Sequence, residues 1–355
     1  MTQSAAAHLP PLTTFAIGSA PFTDPDEALN LMARSLDVPT SPQLVRLSPW
    51  EDMLLGAVHG LPGLTVDAAA RRIVASTEGR ELALAEFYER FLAGERDFLA
   101  LGPESSAGFS AFLRRAAADP SFGPVALKSQ VVGPLTFGQA VKDEAGRSLV
   151  DDPALLEAVA LALGGKAAWE AERLRALGRA PVIFFDEPGL SGFGSAFSTL
   201  SRETVVSALG AAVTEARRGG PVLVGCHVCG NTDWGLLTEV GLDVMNFDAY
   251  EHLETVCLYP REIKAFLEGG GVLAWGLVPT TSFSDRLDAR VLSDLARRGW
   301  AALAAKGLDL ELVQARTWLT SACGLGGLSP EQAGGILTVL PKVAQELRSD
   351  LKNSA

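Results

Sequence analysis

The chain has 355 residues, 48% apolar and 20% charged, a composition that fits a globular protein with a large core and a length normal for one α/β barrel. Lys plus Arg total 30 against 42 Asp plus Glu, a formal charge of −12, which argues against a nucleic-acid groove or an anionic membrane surface. No segment reaches the roughly 18 uninterrupted apolar residues of a membrane span, and residues 1–10 lack the basic and apolar regions of a signal peptide, so a cytoplasmic location is expected.

Apolar, strand-like runs alternate with Ala/Leu/Arg/Glu-rich helical stretches from end to end, the βα pattern of a parallel sheet. In chain order the runs are 12–19, 98–102, 125–132, 181–185, 221–226, 243–247, 272–277 and 318–322, while residues 44–47 read as a ninth short strand or a loop and are taken as a loop. Strands in that number and order predict a single (β/α)8 TIM barrel, one catalytic domain over 1–355 with residues 1–10 as a flexible tail. Helix starts are signposted at Asp24-Pro25 and at Asp152-Pro153, the second opening a long helix that closes near Gly178. A third start, Ser329-Pro330-Glu331-Gln332, combines an N-cap, Pro at the first helical position and a capping-box Gln. Between Ser19 and Phe98 lies an extended connection of roughly 80 residues, longer than an ordinary βα link. It carries helical patterns over 66–76 and 80–92 and is expected to cover the barrel mouth.

In a parallel barrel the chemistry gathers at the carboxyl ends of the strands. The run 221–226 is rich in valine, and His227 and Cys229 sit where it ends. Alternate strand residues share a face, so His227 and Cys229 point one way and Cys226 the other. An imidazole beside a thiol is half of a zinc site, and Cys323-Gly324, again ending an apolar run, supplies a third ligand. Asp248, at the end of the next strand, is the candidate for a fourth position, or orients His227 without touching the metal. These ligands span about 95 residues on different strands, unlike the tight knuckle of a structural zinc site, which favours catalysis. Zinc held by thiolates binds a substrate thiol and deprotonates it near neutral pH. The plainer alternative is a satisfied core histidine beside small buried cysteines; the placement of all three at strand ends of one barrel weighs against it. Cys226 and Cys257 read as packing residues, and four cysteines in so long a chain suit a reducing compartment.

Asp186-Glu187 ends another run, and an inward Asp186 suits a substrate ammonium or acid/base work, the alternatives being a helix cap or a loop ion pair. Glu104 has a similar case, or opens a helix. Ile17-Gly18-Ser19 offers backbone N–H groups and a hydroxyl that suit a carboxylate. Trp234, Tyr250 and Trp275 are assigned to rim packing.

These residues give the chain a resemblance, over nearly its whole length, to the catalytic domain of cobalamin-independent methionine synthase. The wider superfamily includes uroporphyrinogen decarboxylase and the corrinoid-protein methyltransferases. The matching pieces are Ile17-Gly18-Ser19, Gly133-Pro134-Leu135-Thr136, Asp186-Glu187-Pro188, His227-Val228-Cys229 and Cys323-Gly324-Leu325. The stretch His227-Val228-Cys229-Gly230-Asn231-Thr232 looks especially like the zinc motif of the corrinoid methyltransferases. The resemblance implies Zn2+ held by His227, Cys229 and Cys323, with Asp248 where the family has a glutamate ligand. It also implies homocysteine held by Ile17, Gly18 and Ser19 at its carboxylate and by Asp186 at its ammonium, with Glu104 near another amine-binding position. The departures are specific: no counterpart of the N-terminal half of the full-length enzymes, no tryptophan after Gly133-Pro134 where those enzymes stack the folate, and Leu277-Val278 where they carry an acid histidine. They disfavour methyltetrahydrofolate as the methyl donor and leave a corrinoid or a corrinoid methyl-carrier protein. The expected product is methionine. The alternatives are another thiol, such as a coenzyme M-like acceptor, and a non-catalytic zinc- or corrinoid-binding protein.

Overall fold

The computed structural model describes residues 9–102, 105–195, 200–284 and 287–354. The strands are β1 Ser19–Ala20, β2 Gln43–Leu44, β3 Leu64–Asp67, β4 Arg72–Ala75, β5 Ala126–Val132, β6 Lys142–Asp143, β7 Ala180–Asp186, β8 Leu223–Val228, β9 Val244–Phe247, β10 Val272–Val278 and β11 Thr317–Ser321. Six of them form one curled parallel sheet in the order β11-β10-β9-β8-β7-β5. These six strands are buried almost throughout, as expected of parallel strands covered on both faces. Long helices pack outside the sheet, and the architecture is TIM-barrel-like.

Two cores follow from the period-2 alternation of the strands. Outward residues such as Ile183, Phe185, Cys226 and Phe247 join the helices in the larger core. Inward residues Ala126, Val182, Phe184, Leu223, Val244, Ala274 and Trp318 form a second one, together with Phe15 and Val38 from two segments outside the sheet. Phe15 lies 5.2 Å from Phe184 and 6.0 Å edge-on from Trp318, ring centroid to centroid. Those two segments meet the sheet at its edges. Leu12 and Phe15 donate backbone hydrogen bonds to Thr317 and Leu319 of β11, and Ser41 donates to Lys128 of β5, which donates back to Pro39. Between the segments, Val38 donates to Thr14 and Gln43 to Gly18.

Three sequence expectations are corrected here. Residues 98–102 are not a strand: the first two belong to a 3-10 turn, Asp97–Leu99, and the ladder position beside β5 is occupied instead by 39–41. Gln43–Leu44, just before and into the stretch assigned to a loop, is a short strand parallel to β1. The helical pattern over 66–76 is an antiparallel hairpin of β3 and β4, with β6 added in parallel. Its β-branched Thr65, Val66, Ile73 and Val74 outweigh the helix preference of the intervening alanines and arginines, and the Asp67 carboxylate accepts from Ala70 N at 3.0 Å in the turn.

The helix signposts hold. Pro25–Ser35 follows the Asp24 cap, and Pro153–Ala176 follows Asp152, whose side chain accepts from Leu155 N. Arg80–Leu92 is helical. At the start of Pro330–Ser354, Ser329 and Gln332 exchange side-chain-to-backbone bonds of 3.0 and 3.2 Å, the reciprocal pattern of a capping box. No helix among the described residues is long and apolar enough to cross a membrane.

Candidate metal centre

The inward parity that builds the apolar floor also places a polar layer above it. Two residues past Phe184 on β7 comes Asp186, two past Gly225 on β8 comes His227, two past Val244 on β9 comes Asn246, and two past Trp318 on β11 comes Thr320. Asp186 pairs in register with His227, and His227 with Asn246. Cys229 follows β8 and Cys323 follows β11, each at the carboxyl end of its strand.

A nitrogen of His227 and the sulfurs of Cys229 and Cys323 all lie within 4.8 Å of one another. The ring is buried, its Nδ1 is hydrogen-bonded to Asn246 Oδ1, and its Nε2 has no hydrogen-bond partner. A buried, unpartnered nitrogen is costly unless it serves as a ligand. The Cys323 thiol beside it holds the Cys229 thiol well below the usual thiol range, while sharing that thiolate pushes Cys323 up. One borderline nitrogen and two soft sulfurs on separate strands fit zinc and leave a coordination position free.

Asp248 lies apart from this trio. Its carboxylate accepts from Tyr250 N at 2.9 Å and Glu251 N at 3.0 Å, and it groups with Glu251 and His252 at the rim. Cys226 is fully buried in the outer core, and Cys257 is packed there too. Trp234 and Trp275 are likewise core residues, and Tyr250 is partly exposed.

Asp186 is 5% exposed, and its Oδ1 has no hydrogen-bond partner. Burial raises its pKa to about 6, against the pull of Lys128. Its neighbour Glu187 has a different task. Fully buried, it accepts from Leu135 N, Thr136 N and Thr136 Oγ1 at 3.0, 2.7 and 2.6 Å. It thereby clamps the start of the helix Pro134–Ala140. A Cβ on Gly133 would stand 2.1 Å from Glu187 Cδ, so the Gly133-Pro134-Leu135-Thr136 motif is shaped to receive this carboxylate.

Ile17, Gly18 and Ser19 line up beside the same mouth. The Ile17 carbonyl accepts from Lys128 Nζ at 2.5 Å. Gly18 has φ +152, and a Cβ there would meet Gln130 at 2.4 Å, so only glycine suits the position. Ser19 Oγ accepts from Gly326 N at 3.2 Å, and Ser19 O accepts from Leu325 N at 2.9 Å, which ties this loop to the one carrying Cys323. Glu104 lies outside the described residues.

Sequence reasoning passed over three polar members of this layer. Lys128 is fully buried, with its amine 4.9 Å over the Phe184 ring and its pKa lowered by burial to about 8. Asn246 and Thr320 are also fully buried. The available signal was a polar residue at the inward parity of an otherwise apolar strand.

Neither a protein-family model nor a curated protein matches the sequence. Among solved structures, the chain is similar to a B12-independent methionine synthase from Shewanella sp. W3-18-1 in complex with selenomethionine, with a TM-score of 0.62, 18% identity, and coverage of 97% of this chain and 99% of that one. It is also similar to a GH113 β-mannanase from Alicyclobacillus acidocaldarius, with a TM-score of 0.48, 14% identity, and coverage of 97% of this chain and 99% of that one. At these identities the likeness is one of fold alone.

Proposed function

We propose that the chain is one catalytic domain, a closed (β/α)8 barrel whose wall is completed by residues 12–20 and 38–44. We further propose that it is a zinc-dependent methyltransferase acting on a thiol, homocysteine being the acceptor and methionine the product. The observation that carries this reading is the meeting of a nitrogen of His227, a ring whose Nε2 is unpartnered, with the sulfurs of Cys229 and Cys323 at two strand ends. Those three residues would hold Zn2+, with Asp248, whose Oδ1 is engaged by its own loop, as the candidate for a fourth position or for orienting the histidine. Zinc held by two thiolates lowers the pKa of a substrate thiol, giving a nucleophile near neutral pH.

The chain's own residues position the acceptor. The unpaired Oδ1 of Asp186 would receive the ammonium, and the Ile17-Gly18-Ser19 turn, held in place by Lys128 and the loop after Cys323, would receive the carboxylate. An amino acid gripped at both ends presents its sulfur in one orientation, which is the positioning part of the rate enhancement. The methyl donor would be a corrinoid or a corrinoid protein: the sulfur–carbon bond forms as the carbon–cobalt bond breaks, its electron pair remaining on cobalt.

The test is methyl transfer by zinc-loaded protein from methylcobalamin to homocysteine, with methionine measured by mass spectrometry beside Cys323→Ser. Methionine formed by the wild type and lost in the variant supports the reading. Equal turnover in both removes Cys323 from the chemistry.

A further inference from the structure

We infer that Asn246 is a positioning residue that fixes the tautomer of His227, and so turns its Nε2 lone pair toward the two cysteines. The inference rests on the zinc reading above and extends it to a residue which that reading leaves without a role. A backbone carbonyl only accepts hydrogen bonds. The side chain of Asn246 lies against the Ala274 carbonyl, with Nδ2 donating to it at 2.9 Å and to Thr320 Oγ1, also at 2.9 Å. The reverse orientation would set two carbonyl oxygens against each other in a fully buried position. The amide is therefore fixed with Oδ1 facing His227 Nδ1. An amide oxygen also only accepts, so Nδ1 must carry the proton. In neutral imidazole the other nitrogen, Nε2, then holds the lone pair, and it is the atom with no hydrogen-bond partner.

The placement has a second consequence. His227 is on β8, Asn246 on β9, Ala274 on β10 and Thr320 on β11, the strand that leads to Cys323. One amide thus links the strand delivering the histidine ligand to the strand delivering the distant cysteine. Partners that hold the outer nitrogen of a metal-binding histidine typically change metal affinity by about 10- to 100-fold when removed.

The experiment has two independent readouts. The first is the long-range 15N–1H NMR spectrum of metal-free wild-type protein labelled at histidine, of which the chain has four; the His227 signals are assigned by comparison with His227→Gln. The expected pattern for His227 carries a proton on Nδ1, and a ring protonated on Nε2 alone overturns the inference. The second is zinc affinity by competition with a chromophoric chelator in Asn246→Leu, which removes acceptor and donor at similar volume. A fall of about 10- to 100-fold with the Nδ1–H signature lost supports the assignment, and unchanged affinity in a folded variant overturns it. If Asn246→Leu fails to fold, the wild-type spectrum decides alone. Wild-type protein that takes up no zinc would sink the metal reading, and the tautomer pattern would still judge Asn246.

Discussion

Asp186 and His227 stand in register on neighbouring parallel strands, and each carries a buried polar atom with no hydrogen-bond partner, Oδ1 on the carboxylate and Nε2 on the ring. Two orphaned buried groups side by side are costly in a resting fold, and they have complementary uses: one suits a cation and the other a metal. The account assigns them to different ligands, so their substitutions should separate.

Asp186→Asn removes the charge at nearly constant shape. It should weaken homocysteine binding to zinc-loaded protein by about 10- to 100-fold, the loss of one charge-assisted hydrogen bond, while zinc affinity stays within a few-fold of wild type. Calorimetric titration of each ligand reads the two effects separately. Equal losses of both would place Asp186 in the metal site instead.

The four cysteines should sort by face. Cys229→Ser and Cys323→Ser are expected to abolish stoichiometric zinc uptake and, with it, any zinc-dependent rise in melting temperature. Cys226→Ala removes a side chain on the opposite face of the same strand, buried in the outer core. It should bind one zinc normally while losing about 1 kcal/mol of stability to the small cavity. Metal analysis after chelation and reloading, with a urea titration of each variant, checks the pattern. Loss of zinc from Cys226→Ala would contradict the assignment.

A pH effect away from the metal centre follows from Glu170, which is fully buried with Oε2 unpartnered. Burial raises its pKa from 4.5 to about 7, against the pull of Ser129 and two lysines. Between those values the folded chain keeps a proton that the unfolded chain has released. Stability therefore falls as pH rises from about 4.5 to 7, by about 3 kcal/mol at most. Lys166, whose amine burial lowers to about 7, does not oppose this below neutrality. Glu170→Gln should make this part of the curve less steep, read as urea midpoints at pH 5 and pH 7, with the raised Asp186 and Glu187 contributing the rest. Parallel curves for the two proteins would show that Glu170 is ionised throughout.

The readable parts of the sequence were those where one local pattern decides the outcome. The valine-rich run before His227 is a strand because β-branched residues between Gly219-Gly220 and the site allow little else, and strand parity alone separated Cys226 from Cys229. Asp152-Pro153 and Ser329-Pro330 announced helices because capping is a local interaction. The stretch 66–76 misled because the alanines and arginines at its centre prefer a helix, while its β-branched flanks pair with each other across them as a hairpin that residues 142–143 extend. Residues 39–44 gave little signal because so short an extended segment is held in place only by its partners on both sides. At the site, His227, Cys229 and Cys323 were visible as residue types at strand ends. The tether of Asp248 to its own loop and the grip of Asn246 on His227 depend on side-chain direction after folding, which spacing does not specify.

The most direct test of the zinc–thiol account is zinc K-edge X-ray absorption of the zinc-loaded protein, recorded without and with homocysteine. The account predicts two sulfur neighbours in the first spectrum, from Cys229 and Cys323, and three in the second. A sulfur count that stays the same when homocysteine is bound would contradict it.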